Sequence, residues 1–104
     1  MAFIPLERLH ALHDGYRRTF RIAGQEWLLI QDEGRLALIA NRCPHMDAPL
    51  HKGTVNQGVL RCPVHGMEFD LHTGRALGSA AACVAPLTFY PVVYEGNMVG
   101  IDVE

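Results

Sequence analysis

The sequence predicts an all-β chain: an antiparallel β base with a small β subdomain inserted into it. Two observations carry this expectation. Tyr16, Arg18, Phe20 and Ile22 alternate with Arg17, Thr19 and Arg21, which is the period of a strand and not of a helix. Short turn signals, Asp14-Gly15, Ala23-Gly24 and Asp32-Glu33-Gly34, then divide the first forty residues into strand-length pieces. Three consecutive strands joined by tight turns make an antiparallel meander.

Taken in order, the first thirteen residues are ambiguous. Phe3 and Ile4 suit a strand opening, whereas Leu6, Leu9 and Leu12 have roughly helical spacing, enough for one or two turns. His10 and His13 are expected at the surface. The strand over residues 16–22 has a mixed outer face, and its three arginines are expected to be solvated. Residues 26–31 form a second strand, in which Trp27 is expected in the core. Residues 36–40 form a buried third strand. Beyond it, Val59 to Arg61 and Glu68 to Leu71 are short strands, and Arg75 to Leu77 is expected to close a small sheet. Leu87, Phe89, Pro91 and Val93 form an alternating set, with Pro91 placing its position at an edge or bulge. Glu95-Gly96-Asn97 is a turn into a last strand marked by Val99, Ile101 and Val103.

Composition narrows the function. The 104 residues suit one domain with a modest core, and 49% of them are hydrophobic, which argues against disorder. The formal charge is −2 with no basic tract, so nucleic acid is not an expected partner. Apolar runs such as Trp27 to Ile30 are far too short to span a membrane. Pro5, Glu7 and Arg8 replace the basic start and apolar block of a secretory signal, so none is expected. Cys83, in a stretch of small residues, is expected to be a buried, inert thiol, which suits a reducing cytoplasm.

The chemistry concentrates between Asn41 and Leu77. Cys43-Pro44-His45 and Cys62-Pro63-Val64-His65 are two short pairs separated by sixteen residues, each in a Pro- and Gly-punctuated loop. Thiolate with imidazole suits zinc, copper or iron–sulfur centres and not magnesium or calcium. A structural zinc site takes Cys₂His₂ sets, but zinc pairs usually have two or more residues between ligands, and the first pair here has one. His51 is the nearest competing imidazole, and its spacing does not match either pair.

The surrounding text resembles the cluster-binding region of Rieske proteins, specifically the small Rieske ferredoxins of bacterial ring-hydroxylating dioxygenase systems. The residues that carry the resemblance are Cys43-Pro44-His45, Leu50, Gly53, Leu60, Cys62-Pro63-Val64-His65-Gly66-Met67-Glu68-Phe69-Asp70, Thr73-Gly74 and Leu77. Leu87, Tyr90-Pro91-Val92 and Val99 resemble the family's closing strands. The resemblance implies a β sandwich or barrel base formed by residues 1–40 and 78–104, with residues 41–77 as the cluster-binding subdomain of a single domain, 1–104. It implies one [2Fe–2S] cluster, with Cys43 and Cys62 on the inner iron and His45 and His65 on the outer one. Two imidazoles in place of two thiolates make the cluster less negative, which raises its potential above that of a four-cysteine ferredoxin.

Four positions depart from the high-potential respiratory members. Ala48 and Val64 stand where those proteins have a disulfide, and Met67 and Phe69 stand where they have hydroxyls that bond to sulfur. Fewer such bonds leave the reduced cluster less stabilised, so a potential near the low end of the Rieske range is expected. Asp47 stands where many relatives have Gly, and its side chain restricts the turn there. The resemblance implies a monomeric cytoplasmic carrier of single electrons, and not an enzyme. Its partners would be a flavin-containing ferredoxin reductase and the terminal oxygenase of an aromatic-ring-hydroxylating system. The alternatives are the small subunit of an assimilatory nitrite reductase and a zinc-stabilised interaction module. Pro44, Met46, Pro49, Val64, Gly66 and Met67 would form an apolar rim around the histidines, suited to docking or to shielding the cluster.

Overall fold

Residues 27–30 are buried without a break, and this one fact organises the molecule. In the computed structural model, which describes residues 2–44, 47–64, 66–78 and 84–103, Trp27, Leu28, Leu29 and Ile30 are all at or below 7% exposure. A strand buried at every position must be covered on both faces, because successive side chains point to opposite sides.

That strand is the middle of a three-stranded antiparallel sheet, β2 (Arg17–Ile22), β3 (Gln25–Asp32) and β4 (Arg35–Ala40), preceded by β1 (Ala2–Arg8). On one face, Trp27, Leu29, Leu38 and Ala40 share a core with Val99 and Ile101. Those two belong to the last strand, β9 (Met98–Val103), which lies between β1 and β8 (Val93–Glu95) in a second antiparallel sheet. On the other face, Leu28, Ile30 and Ile39 share a core with Leu50, Leu60, Phe69 and both cysteines. This second core rests on the third sheet, β5 (Thr54–Asn56), β6 (Val59–Arg61) and β7 (Glu68–Asp70). The register agrees: Leu28 stands opposite Ile39, and Leu29 opposite Leu38. Each fully buried Leu or Ile contributes about 1.5–3 kcal/mol, so the central sheet ties both cores together through alternate residues.

Tight turns set the registers. Ala23-Gly24, Glu33-Gly34 and Gln57-Gly58 each have both central residues at positive φ. That is the type I′ geometry, whose twist matches the strands it joins. The Asp32 carboxylate accepts a bond of 2.7 Å from the Gly58 amide, fastening the β3–β4 end to the β5–β6 turn. Trp27 packs edge-on against Tyr90 at 5.2 Å between ring centroids.

Several sequence expectations change here. The ambiguous N-terminus is strand β1, paired along its length with β9, followed by a single 3-10 turn at Leu9–Ala11. A long-range partner outweighs the weak helical spacing. Residues 87–92 are not a strand. Tyr90 donates to the Leu38 carbonyl and Ala40 to that of Thr88, with a lone bridge between Phe89 and Ile39. Pro91 has no amide with which to continue the ladder, and β8 begins at Val93. Residues 75–77 likewise contribute one bridge, Ala76 to Phe69, and no strand. The strand β5 was not foreseen, because three residues are too few to show a period.

Candidate metal centre

Cys43 and Cys62 leave β4 and β6 into two loops of the same construction. The Cys43 amide donates to the Ala48 carbonyl at 2.7 Å, and the Cys62 amide to the Met67 carbonyl at 2.8 Å, five residues on in both cases. The Cys43 carbonyl accepts from the Asp47 amide at 2.7 Å, and the Cys62 carbonyl from the Gly66 amide at 3.0 Å, four residues on in both. The fourth residue after each cysteine is left-handed: φ is 58° at Asp47 and 70° at Gly66. The bonds that close the two six-residue loops and their left-handed positions therefore match, although the histidine falls two residues after the cysteine in the first and three after it in the second.

Both cysteines are buried, at 0% and 1% exposure, within one apolar core with Leu50, Leu60, Phe69 and Leu87. The expected ligands His45 and His65, the rim residue Met46 and the thiol Cys83 lie outside the described residues. Among the described rim residues, Val64 is 59% exposed and Pro49 is exposed, whereas Pro44, Gly66 and Met67 are half-buried. Met67 packs against the core that holds the cysteines. Phe69 is fully buried and has no hydroxyl to offer a sulfur.

The left-handed position in the first loop explains how Asp47 replaces a glycine. Asp is among the few residues with a side chain that enter this region, whereas a β-branched residue is a genuine outlier there. Asp47→Val is expected to lower the stability of the holoprotein by about 1–2 kcal/mol, and Asp47→Gly to leave it equal or higher. Thermal unfolding with the cluster in place checks this. A Val variant as stable as the parent would mean that the loop does not depend on the left-handed turn.

Two polar residues hold the first loop, and neither was foreseen as a fastener. Asn41 is the buried polar residue at the end of β4, 6% exposed. Its side-chain oxygen accepts from the amides of Leu50 and His51, both at 2.9 Å. That orientation makes its nitrogen the donor to Glu26 Oε1 at 2.7 Å and to His51 Nδ1 at 3.0 Å. One side chain thus joins β3 to both ends of the loop. Arg17 corrects the expectation of a solvated arginine face. It stands opposite Ile30 in β2–β3 register, on the face toward the β5–β7 sheet. Its guanidinium donates to the carbonyl of His51 at 2.8 Å and to that of Gly53. His51, the competing imidazole, is taken up in this network through its Nδ1. Asn41 was visible as the polar residue that ends an apolar run. Arg17 left no signal, because alternation marks faces but not what covers them.

The matched loops, with a buried cysteine at the head of each, fit an iron–sulfur centre: soft donors in an apolar shell on two separate chain segments. The model of the Rieske [2Fe-2S] domain matches residues 2–91. The chain belongs to the Rieske [2Fe-2S] family. Its cofactor is a Rieske-type [2Fe–2S] cluster. The naphthalene 1,2-dioxygenase system ferredoxin component of Pseudomonas aeruginosa is 33% identical over 100 residues, covering 96% of this chain and 94% of the relative. Apoptosis-inducing factor 3 of Homo sapiens is 38% identical over 63 residues. That match covers 61% of this chain and only 10% of the human protein. The Sphingomonas yanoikuyae B1 ferredoxin superposes with a TM-score of 0.83 at 27% identity, covering 99% of this chain and all of that one. The Rieske base and inserted sheet expected from the sequence are thus the fold observed.

Proposed function

We propose that this chain is a one-electron carrier whose [2Fe–2S] cluster is held by Cys43 and Cys62 on one iron and by His45 and His65 on the other. The observation that carries the reading is the pair of matching loops, which bury one cysteine each in a common apolar core. The cluster supplies one-electron chemistry between diferric and mixed-valence states, and the chain supplies its placement. Asn41 and Arg17 hold the first loop against the base. Met67 and the core residues limit water around the sulfurs, and the absence of a hydroxyl at Met67 and Phe69 keeps the potential low.

The partners in this reading are a flavin-containing ferredoxin reductase as donor and a terminal ring-hydroxylating oxygenase as acceptor, by analogy with the naphthalene relative. The carrier is a single domain, 1–104, working in the cytoplasm. No helix among the described residues is long and apolar enough to cross a membrane.

Iron, acid-labile sulfide and zinc, measured on protein purified without air, test the reading. About two iron and two sulfide per chain are expected, with bleaching on reduction. About one zinc in colourless protein would turn the same four residues into a structural staple and end the carrier assignment.

A further inference from the structure

Beside the second loop lies a cleft of about 620 Å³ whose charged lining, among the described residues, is Lys52 and Arg61. Cys62, Val64 and Gly66 complete its wall on the side of the loop. We propose that this cleft is a docking site for carboxylate side chains on an acidic redox partner, which would cover exposed Val64 as it seats them. The proposal rests on the electron-carrier reading and adds to it the chemistry of the surface that the carrier meets.

The two cations are brought together by the inserted sheet. Arg61 pairs with Thr54 in β5–β6 register, and Lys52 lies two residues before Thr54, at the end of the sheet that leads into the second loop. The guanidinium of Arg61 lies against the backbone of Gly66: a Cβ there would come within 2.9 Å of Nη2. The charge is thereby held over the loop that carries Cys62. Neither cation forms an ion pair among the described residues. Glu68 stands opposite Arg61 in β6–β7 register, yet the one ion pair among the described residues joins Arg18 to Glu7. Asp47 lines a different cleft on the other loop, together with Arg42 and Pro44. The chain as a whole carries −2, so this is a local positive site on an acidic protein.

An exposed apolar side chain, Val64, in the same cleft as two cations suits brief, oriented contact. Val64 supplies area that is worth burying, and the charges steer a carboxylate-bearing surface into register. At low ionic strength such steering raises association rates by about tenfold or more, and it fades once the Debye length falls below the separation of the charges.

The test uses dithionite-reduced holoprotein mixed by stopped flow with rubredoxin, a small acidic one-electron acceptor, and with basic cytochrome c as control. The electron leaves the reduced cluster and reduces one acceptor iron. With rubredoxin, the rate constant is expected to fall about tenfold as salt rises from about 0.01 M to about 0.5 M. Lys52→Glu and Arg61→Glu are each expected to lower the low-salt rate, and together to abolish its salt dependence. The cytochrome c rate should instead rise in the same variants. A parent rate with rubredoxin that ignores salt would overturn the proposal, and this requires no variant to fold. Equal losses toward both acceptors would overturn it too, because charge would not be the cause. Protein that contains no iron and sulfide would fail at the preceding step, and would end the carrier reading itself.

Discussion

Cys43→Ser and Cys62→Ser proteins are each expected to purify with iron and sulfide near zero, against about two of each in the parent. A hydroxyl is a poor ligand for a soft iron–sulfide core, and at these two positions it would also lie in an apolar environment. Both cysteines are within 1% of complete burial, among Leu50, Leu60 and Phe69. Each variant should therefore lose stability twice. One loss is the binding energy of the cluster, and the other is the cost of moving a hydroxyl into an apolar core, about 1–3 kcal/mol. Metal analysis and the visible spectrum measure the first effect, and thermal unfolding the second. Full iron content in either variant would remove that residue from the ligand set. The prediction separates ligands from packing residues, because Leu60→Val in the same core should cost stability but keep the iron.

Asn41→Ala should be the most damaging change outside the ligands. It removes the acceptor shared by the Leu50 and His51 amides and the donor to Glu26 and His51. The Leu50 amide belongs to a residue with no exposure at all, so water does not readily replace the lost bond. At about 1–3 kcal/mol for each buried group left without a partner, a loss of about 2–4 kcal/mol is expected. In a domain of this size that lowers the unfolding midpoint by about 10–20 °C. The readout tied to function is the rate of iron release to a chelator, which should rise because the loop between Asn41 and His51 loses its fastener. Iron release at the parental rate would show that Arg17, through the His51 and Gly53 carbonyls, holds the loop by itself.

The two predictions differ in how far the sequence leads to them. The cysteines stand out in the sequence as candidate ligands, because thiol and imidazole at short spacing in Pro- and Gly-rich loops form a pattern with few chemical readings. The role of Asn41 does not, because a single Asn at the end of a strand is indistinguishable from a solvated one until its four partners are placed around it. His51 shows the same limit from the other side. Its spacing does not match the Cys/His pairs, and only the packed structure shows its bonds to Asn41 and Arg17.

By itself, the sequence determined the properties that depend on short range. These include the central strands, whose alternation and apolar runs need no partner to be recognised. They include the hairpin turns at Ala23-Gly24 and Asp32-Glu33-Gly34, and the two Cys/His pairs that suit an iron–sulfur cluster. The tertiary structure decided everything that depends on residues far apart in the chain. It made a strand of the N-terminus by pairing Ala2–Arg8 with Met98–Val103. It turned Arg17 from a solvated face toward the cluster loop. It placed Lys52 and Arg61 around one cleft. It also showed that Asp47 and Gly66 occupy the same position in two matching loops. The physical reason is common to all four. Local preferences amount to about a kilocalorie per residue or less, and the burial of whole faces and the need to satisfy every buried polar group outweigh them.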